Sequence, residues 1–247
     1  MVSGLKDTYQ REINYLRVSV TDRCNLRCVY CMPAEGVQST PHAEILRIEE
    51  LEKLIRVATL IGVRKIRLTG GEPLVRKGIE DLVKRVAAIP GIDDVSLTTN
   101  GLLLSQRAAA LKAAGVRRVN ISLDTLQVER YREITRGGDL AVALDGIKAA
   151  LDAGLHPVKI NTVVMRGFNE DEIVAIARLT LNRPLHVRFI EVMPIGPQND
   201  WTIGRFIPTE EIMAQITAKL GALQPAKMPS GNGPAKYFKL KNAANPG

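Results

Sequence analysis

Six short β-branched segments recur along this chain, each alternating polar and apolar residues at a period of two: residues 16–20, 65–69, 95–99, 119–124, 158–164 and 186–192. One parity is apolar, running from Leu16 and Val18 through Ile66, Leu68, Val95, Leu97, Val119, Ile121, Val158 and Ile160 to Val187 and Phe189. The other carries Arg17, Ser19, Arg67, Thr69, Ser96, Thr98, Asn120, Ser122, Asp124, Lys159, Asn161, His186 and Arg188. Helical patterns at 48–62, 77–91, 102–115, 139–154 and 169–181 separate the segments, and three of them end at Gly62, Gly115 and Gly154, where a left-handed cap fits. This strand–helix–glycine rhythm predicts an α/β fold with parallel strands. Parallel strands covered by helices on both faces read as continuous apolar runs, which these do not. The polar parity is therefore expected to line the inside of a curved sheet, in a partial (β/α)6 TIM-like barrel left open at one side. The alternative is a sheet with one face in water, an arrangement that wholly parallel sheets seldom adopt. A polar lumen is a cavity for a polar ligand.

The chain divides on this reading into a barrel over 1–205 and an incomplete C-terminal extension over 206–247, which opens with a helix near Pro208 and Thr209 and continues into a stretch rich in Gly and Pro. With 247 residues and 45% hydrophobic content the composition is that of a globular protein. No run approaches the roughly 20 apolar residues of a membrane span, and MVSGLKDTYQ lacks the apolar core of a secretory signal, so the expected location is the cytoplasm, away from membranes. The net charge of +8 points to an anionic ligand; the 34 basic residues are scattered, which argues against nucleic acid as the partner.

All three cysteines, Cys24, Cys28 and Cys31, fall within eight residues directly after the first strand, spaced C-x3-C-x2-C. An odd number in one loop does not make a disulfide framework, so metal or redox chemistry leads. A 4Fe-4S cluster takes its ligands from cysteine thiolates, and three of them leave one iron open to a small chelating molecule. A zinc site, the competing reading, needs a fourth donor, and the nearest histidine, His42, sits in an unpromising loop. Strand two ends in Thr69-Gly70-Gly71-Glu72-Pro73, where paired glycines permit close backbone approach to a ligand and Glu72 offers a carboxylate; an ordinary strand-to-helix turn reads the same way in isolation.

The cysteine spacing, with aromatic Tyr30 before the last cysteine, resembles the signature of the radical S-adenosylmethionine (SAM) superfamily, and GGEP resembles its segment that binds the SAM amino group. Taken together, TDRCNLRCVYCMP, IRLTGGEPLVRKGIEDLV, LTTNG, VNISLDTL, KINTVVMRGFN and RFIEVMPIG are similar to the molybdenum cofactor biosynthesis A family, the GTP 3′,8-cyclases, over about residues 11 to 240. That resemblance implies a lyase with one 4Fe-4S cluster on Cys24, Cys28 and Cys31 and with SAM as cofactor. It implies a 5′-deoxyadenosyl radical that removes hydrogen from C3′ of GTP, after which C3′ bonds to C8 to give (8S)-3′,8-cyclo-7,8-dihydroguanosine 5′-triphosphate. By the same resemblance Arg17, Arg67, Thr98 and Lys159 match GTP contacts, and Tyr30, Gly71, Ser122 and Met193 match SAM contacts. The first four, with Ser122, share the polar parity, as a triphosphate site requires. Met193 and Tyr30 read equally well as packing residues. Implied partners are GTP, a reductant protein such as flavodoxin or ferredoxin, and a downstream pterin-forming enzyme; a homodimer is one assembly open to the chain.

The family carries a second 4Fe-4S cluster on three further cysteines near its C-terminus, and no cysteine follows Cys31 here. A C-terminal segment left off, or a shortened relative with another substrate, accounts for this. The expectation is a chain that binds the first cluster and SAM and cyclises GTP poorly or not at all. A different radical SAM enzyme, of peptide-modifying or maturase type, would share the cysteine loop and GGEP without needing the cations. A non-catalytic iron–sulfur or nucleotide-binding relic would hold iron and leave SAM intact.

Overall fold

The computed structural model describes residues 5–38, 40–193, 203–226 and 235–240. Six strands, β1 (Tyr15–Ser19), β2 (Lys65–Thr69), β3 (Asp94–Thr99), β4 (Arg118–Ser122), β5 (Val158–Val164) and β6 (Leu185–Glu191), form one sheet in sequence order. The pairs β1–β2, β2–β3 and β5–β6 are parallel. Every expected strand is present within two residues of its predicted ends. The fold is α/β, of the partial (β/α)6 type.

The chain separates into two compact units, of which the first comprises Met1–Asn25, Gln38–Asn120 and Leu144–His156. Its helices are α1 (Ile48–Leu60), α2 (Ile79–Ala87) and α3 (Leu104–Ala114), together with the larger part of α5 (Leu140–Asp152). The α1 start is set by Glu50, whose carboxylate accepts the Arg47 backbone N–H at 2.7 Å, and by the acidic first turn that opposes the helix dipole. Helix α3 ends at Gly115, whose φ of 116° is the left-handed cap expected from the sequence. In β2, Ile66 and Leu68 are wholly buried while Arg67 and Thr69 are half-buried, so the period-two pattern separates two environments. The polar parity is not open to water further along the sheet: Ser96 and Asn120 are each 1% exposed.

The second unit comprises Leu26–Val37, Ile121–Ala143 and Pro157–Gly247. It holds α4 (Val128–Thr135), α6 (Ile173–Ala177), α7 (Leu179–Asn182), α8 (Thr209–Leu220) and an antiparallel hairpin of β7 (Leu223–Ala226) and β8 (Tyr237–Leu240). Helix α4 was not foreseen, because its sequence VERYREIT buries only Tyr131, Ile134 and Thr135 and shows little apolar periodicity. The single helix expected over 169–181 is a 3-10 turn at Glu170–Glu172 followed by two short helices. Val164, Ile173, Ala177, Ile207, Ile212 and Ile216 form one apolar core, with Phe189, Leu220, Leu223 and Leu240 packed against it. The described part of the C-terminal segment thus shares a core with β5 and α6. Among the described residues no helix is long and apolar enough to cross a membrane.

Because Ile212 is 3% exposed at the centre of this shared core, Ile212→Ala is expected to destabilise the chain by about 2–4 kcal/mol, read as a lower urea midpoint in a single transition. A separate early transition with the main one unmoved would show instead that α8 folds independently of the core.

Candidate functional site

In the first unit the cysteine loop and the GGEP turn are built against each other. Gly71 N–H donates to the Thr21 carbonyl and Glu72 N–H to the Arg23 carbonyl, both at 2.8 Å. A Cβ on Gly70 would lie 2.3 Å from the Thr21 oxygen, and one on Gly71 2.4 Å from the Arg23 oxygen, so only glycine permits this contact. Backbone approach was the expected reason for these glycines; the backbone approached is the stem of the cysteine loop, one residue short of Cys24. Glu72, expected to offer a carboxylate to a ligand, has its carboxylate engaged by donors of the protein itself. It is 1% exposed, and its oxygens accept from Leu74 N–H at 3.0 Å, Thr99 Oγ1 at 2.8 Å and Asn100 N–H at 2.7 Å. Burial pushes its carboxyl pKa up while these donors pull it down. Asn100 in turn reaches Asn25 Oδ1 at 2.8 Å and Cys24 Sγ at 4.0 Å.

The polar parity of the same unit brings Arg17 and Arg67 side by side as register partners, with Arg67 opposite Ser96 on the next strand. The Arg67 guanidinium stands over the Tyr15 ring at 5.3 Å. With its oxygen turned toward the cation, the Asn120 amide accepts from both Arg67 Nη atoms at 3.1 and 3.3 Å, and it lies 3.4 Å from Thr98 Oγ1. Arg17 is exposed, whereas Arg67 and Thr98 are half-buried.

In the second unit the rest of the cysteine loop is stitched to the end of α4. Arg27 N–H and Val29 N–H donate to the Thr135 and Ile134 carbonyls at 3.1 and 2.9 Å, and Cys31 N–H donates to the Cys28 carbonyl at 2.9 Å. Arg136, the left-handed cap of α4 at φ 53°, gives Nη1 to the carbonyls of Arg27 and Met32 at 3.0 and 2.7 Å. Val29 packs into a cluster with Ile134, Met165, Phe168 and Val192, against which Tyr30 rests. Tyr30 Oη donates to Asp124 Oδ2 at 2.7 Å, and Val163 N–H donates to Asp124 Oδ1 at 2.8 Å. Burial, then the Asp124 charge, raises the Tyr30 phenol well above its usual range, which keeps it a donor.

Lys159, wholly buried, donates to Tyr237 Oη at 3.0 Å, and Arg188 Nη2 donates to the same oxygen. Ser122 ends β4 half-buried, and Met193 is exposed at the end of a described stretch.

The radical SAM superfamily model matches residues 18–180. A GTP 3′,8-cyclase of Pelotomaculum thermopropionicum is 71% identical over 240 residues, covering 97% of this chain and 74% of the relative. The chain belongs to the GTP 3′,8-cyclase family of radical SAM proteins. A second relative of that description, from Desulforamulus reducens, is 54% identical over 96% of this chain and 73% of its own length. Among solved structures, Streptococcus suis SuiB bound to S-adenosylmethionine superposes with a TM-score of 0.65 at 18% identity, over 84% of this chain and 47% of that one. Methylornithine synthase gives 0.63 at 16% identity, over 82% and 61%. At these identities the likeness is one of fold.

The radical SAM cluster fits the donors present. None of the three cysteines is in a disulfide, Cys24 and Cys28 being half-buried and Cys31 exposed, and a cubane accepts one thiolate on each of three irons. Among the described residues no group of three or more His, Cys, Asp and Glu side chains is set to hold a single metal ion. Sequence reasoning missed the supports of this site. Asp124 lay in the polar parity and was read only as lining; Arg136 and Tyr237 carried no pattern that marks a site.

Asp124 is 5% exposed, and burial raises its carboxyl from 3.8 to about 6 despite the Tyr30 and Val163 hydrogen bonds. A folded-state value above the unfolded one means that the protonated acid is favoured by folding. Its contribution is therefore full below about pH 4 and is lost as pH rises to about 6, a change of about 3 kcal/mol. In Asp124→Asn this fall is expected to vanish from the difference in unfolding free energy between pH 4 and pH 6.5, measured with urea. Parallel pH profiles for the two proteins would contradict it.

Proposed function

We propose that this chain is a radical SAM GTP 3′,8-cyclase acting in molybdenum cofactor biosynthesis, with its substrate held against the polar parity of the sheet. The observation that carries the reading is a cation on the polar parity of each unit, Arg67 half-buried in the first and Lys159 wholly buried in the second, at strand positions where a barrel ordinarily packs Val, Ile and Leu. Cations placed so are suited to the phosphates of a nucleotide, since guanidinium and ammonium groups make charge-assisted bonds to phosphate oxygens.

Cys24, Cys28 and Cys31 would hold a 4Fe-4S cluster, which together with SAM supplies one-electron cleavage to a hydrogen-abstracting 5′-deoxyadenosyl radical when bound. The chain's own residues hold and orient. Glu72 fixes the GGEP turn so that Gly71 keeps its place beside the cysteine stem. In this reading Gly71, Tyr30, Ser122 and Met193 contact SAM, with Glu72 part of the same cofactor site, and Arg17, Arg67, Thr98 and Lys159 contact GTP. Positioning of the ribose so that C3′ meets the abstracting carbon and C8 stays within bonding reach is then the work of these contacts. Tyr30 is fixed by Asp124, which limits the freedom of the loop carrying Cys28 and Cys31. A reductant protein such as flavodoxin or ferredoxin, a downstream pterin-forming enzyme, a homodimeric assembly and a cytoplasmic location complete the proposal.

The test is anaerobic reconstitution with iron and sulfide, reduction, and quantification of 5′-deoxyadenosine with SAM, with and without GTP. Formation is expected in the wild type and is expected to fall to background in Cys24→Ala, Cys28→Ala and Cys31→Ala. Lys159→Ala is expected to keep GTP-independent formation and lose any dependence on GTP. A cluster-loaded chain that leaves SAM intact would refute the enzymatic reading.

A further inference from the structure

Tyr237 lies on β8, outside the six-stranded sheet, yet its hydroxyl is the shared acceptor of two cations from that sheet. Lys159 Nζ and Arg188 Cζ also stand over its ring, at 5.3 and 5.6 Å from the centroid. A phenol oxygen accepts at most two hydrogen bonds, and both are filled by charged donors. Two cationic donors converging on one oxygen is the arrangement that a phosphate oxygen ordinarily receives. His186 stands edge-on to the same ring at 6.1 Å, 9% exposed, with Nδ1 buried and unpartnered; Arg188 Nε is likewise buried and unpartnered. Burial, reinforced by Lys159 and Arg188, lowers the pKa of His186; at Tyr237 burial acts to raise the phenol's pKa, and the hydrogen bonds and charges of the two cations together outweigh it and lower it. Arg188 therefore brings to the phenol a buried donor, its Nε, that the phenol does not satisfy.

We propose that Tyr237 is an internal competitor for the phosphate chain of the nucleotide: its hydroxyl occupies the point where Lys159 and Arg188 converge, and a ligand phosphate takes that point by displacing it. This deepens the preceding reading and rests on its assignment of Lys159 to GTP. Both bonds to the phenol already have a charged donor; a phosphate oxygen brings a charged acceptor as well, so the two cations gain the attraction of opposite charges on exchange. The exchange is mechanically accessible because the phenol is borne by a two-stranded hairpin, which has little stability of its own beyond the apolar anchors Leu223 and Leu240. Tyr237 thereby sets how tightly the site holds phosphate, and an empty site keeps its cations solvated by protein.

The experiment is isothermal titration of the full chain with inorganic tripolyphosphate and, separately, with GTP. Removing the competing oxygen in Tyr237→Phe takes two hydrogen bonds with charged donors out of the unliganded state and is expected to tighten binding of both probes by about tenfold or more, while lowering the melting temperature of the unliganded protein. A residue that merely supports the fold would leave binding unchanged or weaken it, so equal or weaker binding by Tyr237→Phe overturns the proposal. Lys159→Ala separates the two levels: binding as tight as wild type removes Lys159 from the site and with it the underlying reading, whereas weakened binding keeps that reading whatever Tyr237→Phe does. Wild-type chain that binds neither probe sinks both. Should the Phe variant fail to fold, the wild-type ultraviolet difference spectrum decides, since tripolyphosphate is expected to perturb tyrosine absorbance as the phenol leaves its two cations. A spectrum unchanged at saturation overturns the proposal.

Discussion

The Glu72 carboxylate sits with almost no access to water, and the placement of the loops around it follows from how it is satisfied. An ionised carboxylate in such surroundings is tolerated only if its oxygens are filled, and three donors from two segments fill them. The arrangement fixes the end of β3 relative to the GGEP turn. The turn is then fixed to the stem of the cysteine loop by two backbone hydrogen bonds that glycine alone permits. A ligand placed at this edge meets backbone already ordered before it arrives, so less ordering entropy is charged to binding.

In the second unit the same result is reached by other means. Cys28 and Cys31 stand on a short loop anchored by buried Leu26, Val29 and Met32, and backbone groups of that loop are taken up by the end of α4 and by Arg136. Arg136 holds a left-handed backbone conformation that costs a non-glycine residue of order 1 kcal/mol. That local cost is offset by the two loop carbonyls its side chain satisfies. Tyr30 and Asp124 add a buried hydrogen bond from the loop to the chain that follows β4. Each unit thus stiffens its own part of the cysteine segment.

Much of the fold was legible because period two and glycine caps are local signals. Ile66 and Leu68 differ from Arg67 in the structure as they do in sequence, and Gly62, Gly115 and Gly154 all take positive φ. The chemistry of the loop was legible as well, since three thiols in eight residues have few explanations. Long-range polar supports were not. Nothing near Tyr237 indicates that its oxygen meets Lys159, 78 residues away, and Glu72 presents the same letter whether it faces a ligand or three buried donors. Helix α4 was missed because one buried edge and a capping arginine, rather than an amphipathic stripe, position it.

The alternation in the strands carries a consequence for how such a sheet can change over time. Inserting or deleting one residue within β2 would exchange the environments of Arg67 and its wholly buried neighbours, driving a guanidinium under the helices and two aliphatic chains into the polar lining. A change of two residues preserves the facing. Lineages that alter what this lining recognises are therefore confined to replacing side chains in place or to reshaping the loops at strand ends, and gaps of odd length inside the strands should be purged from the family's history.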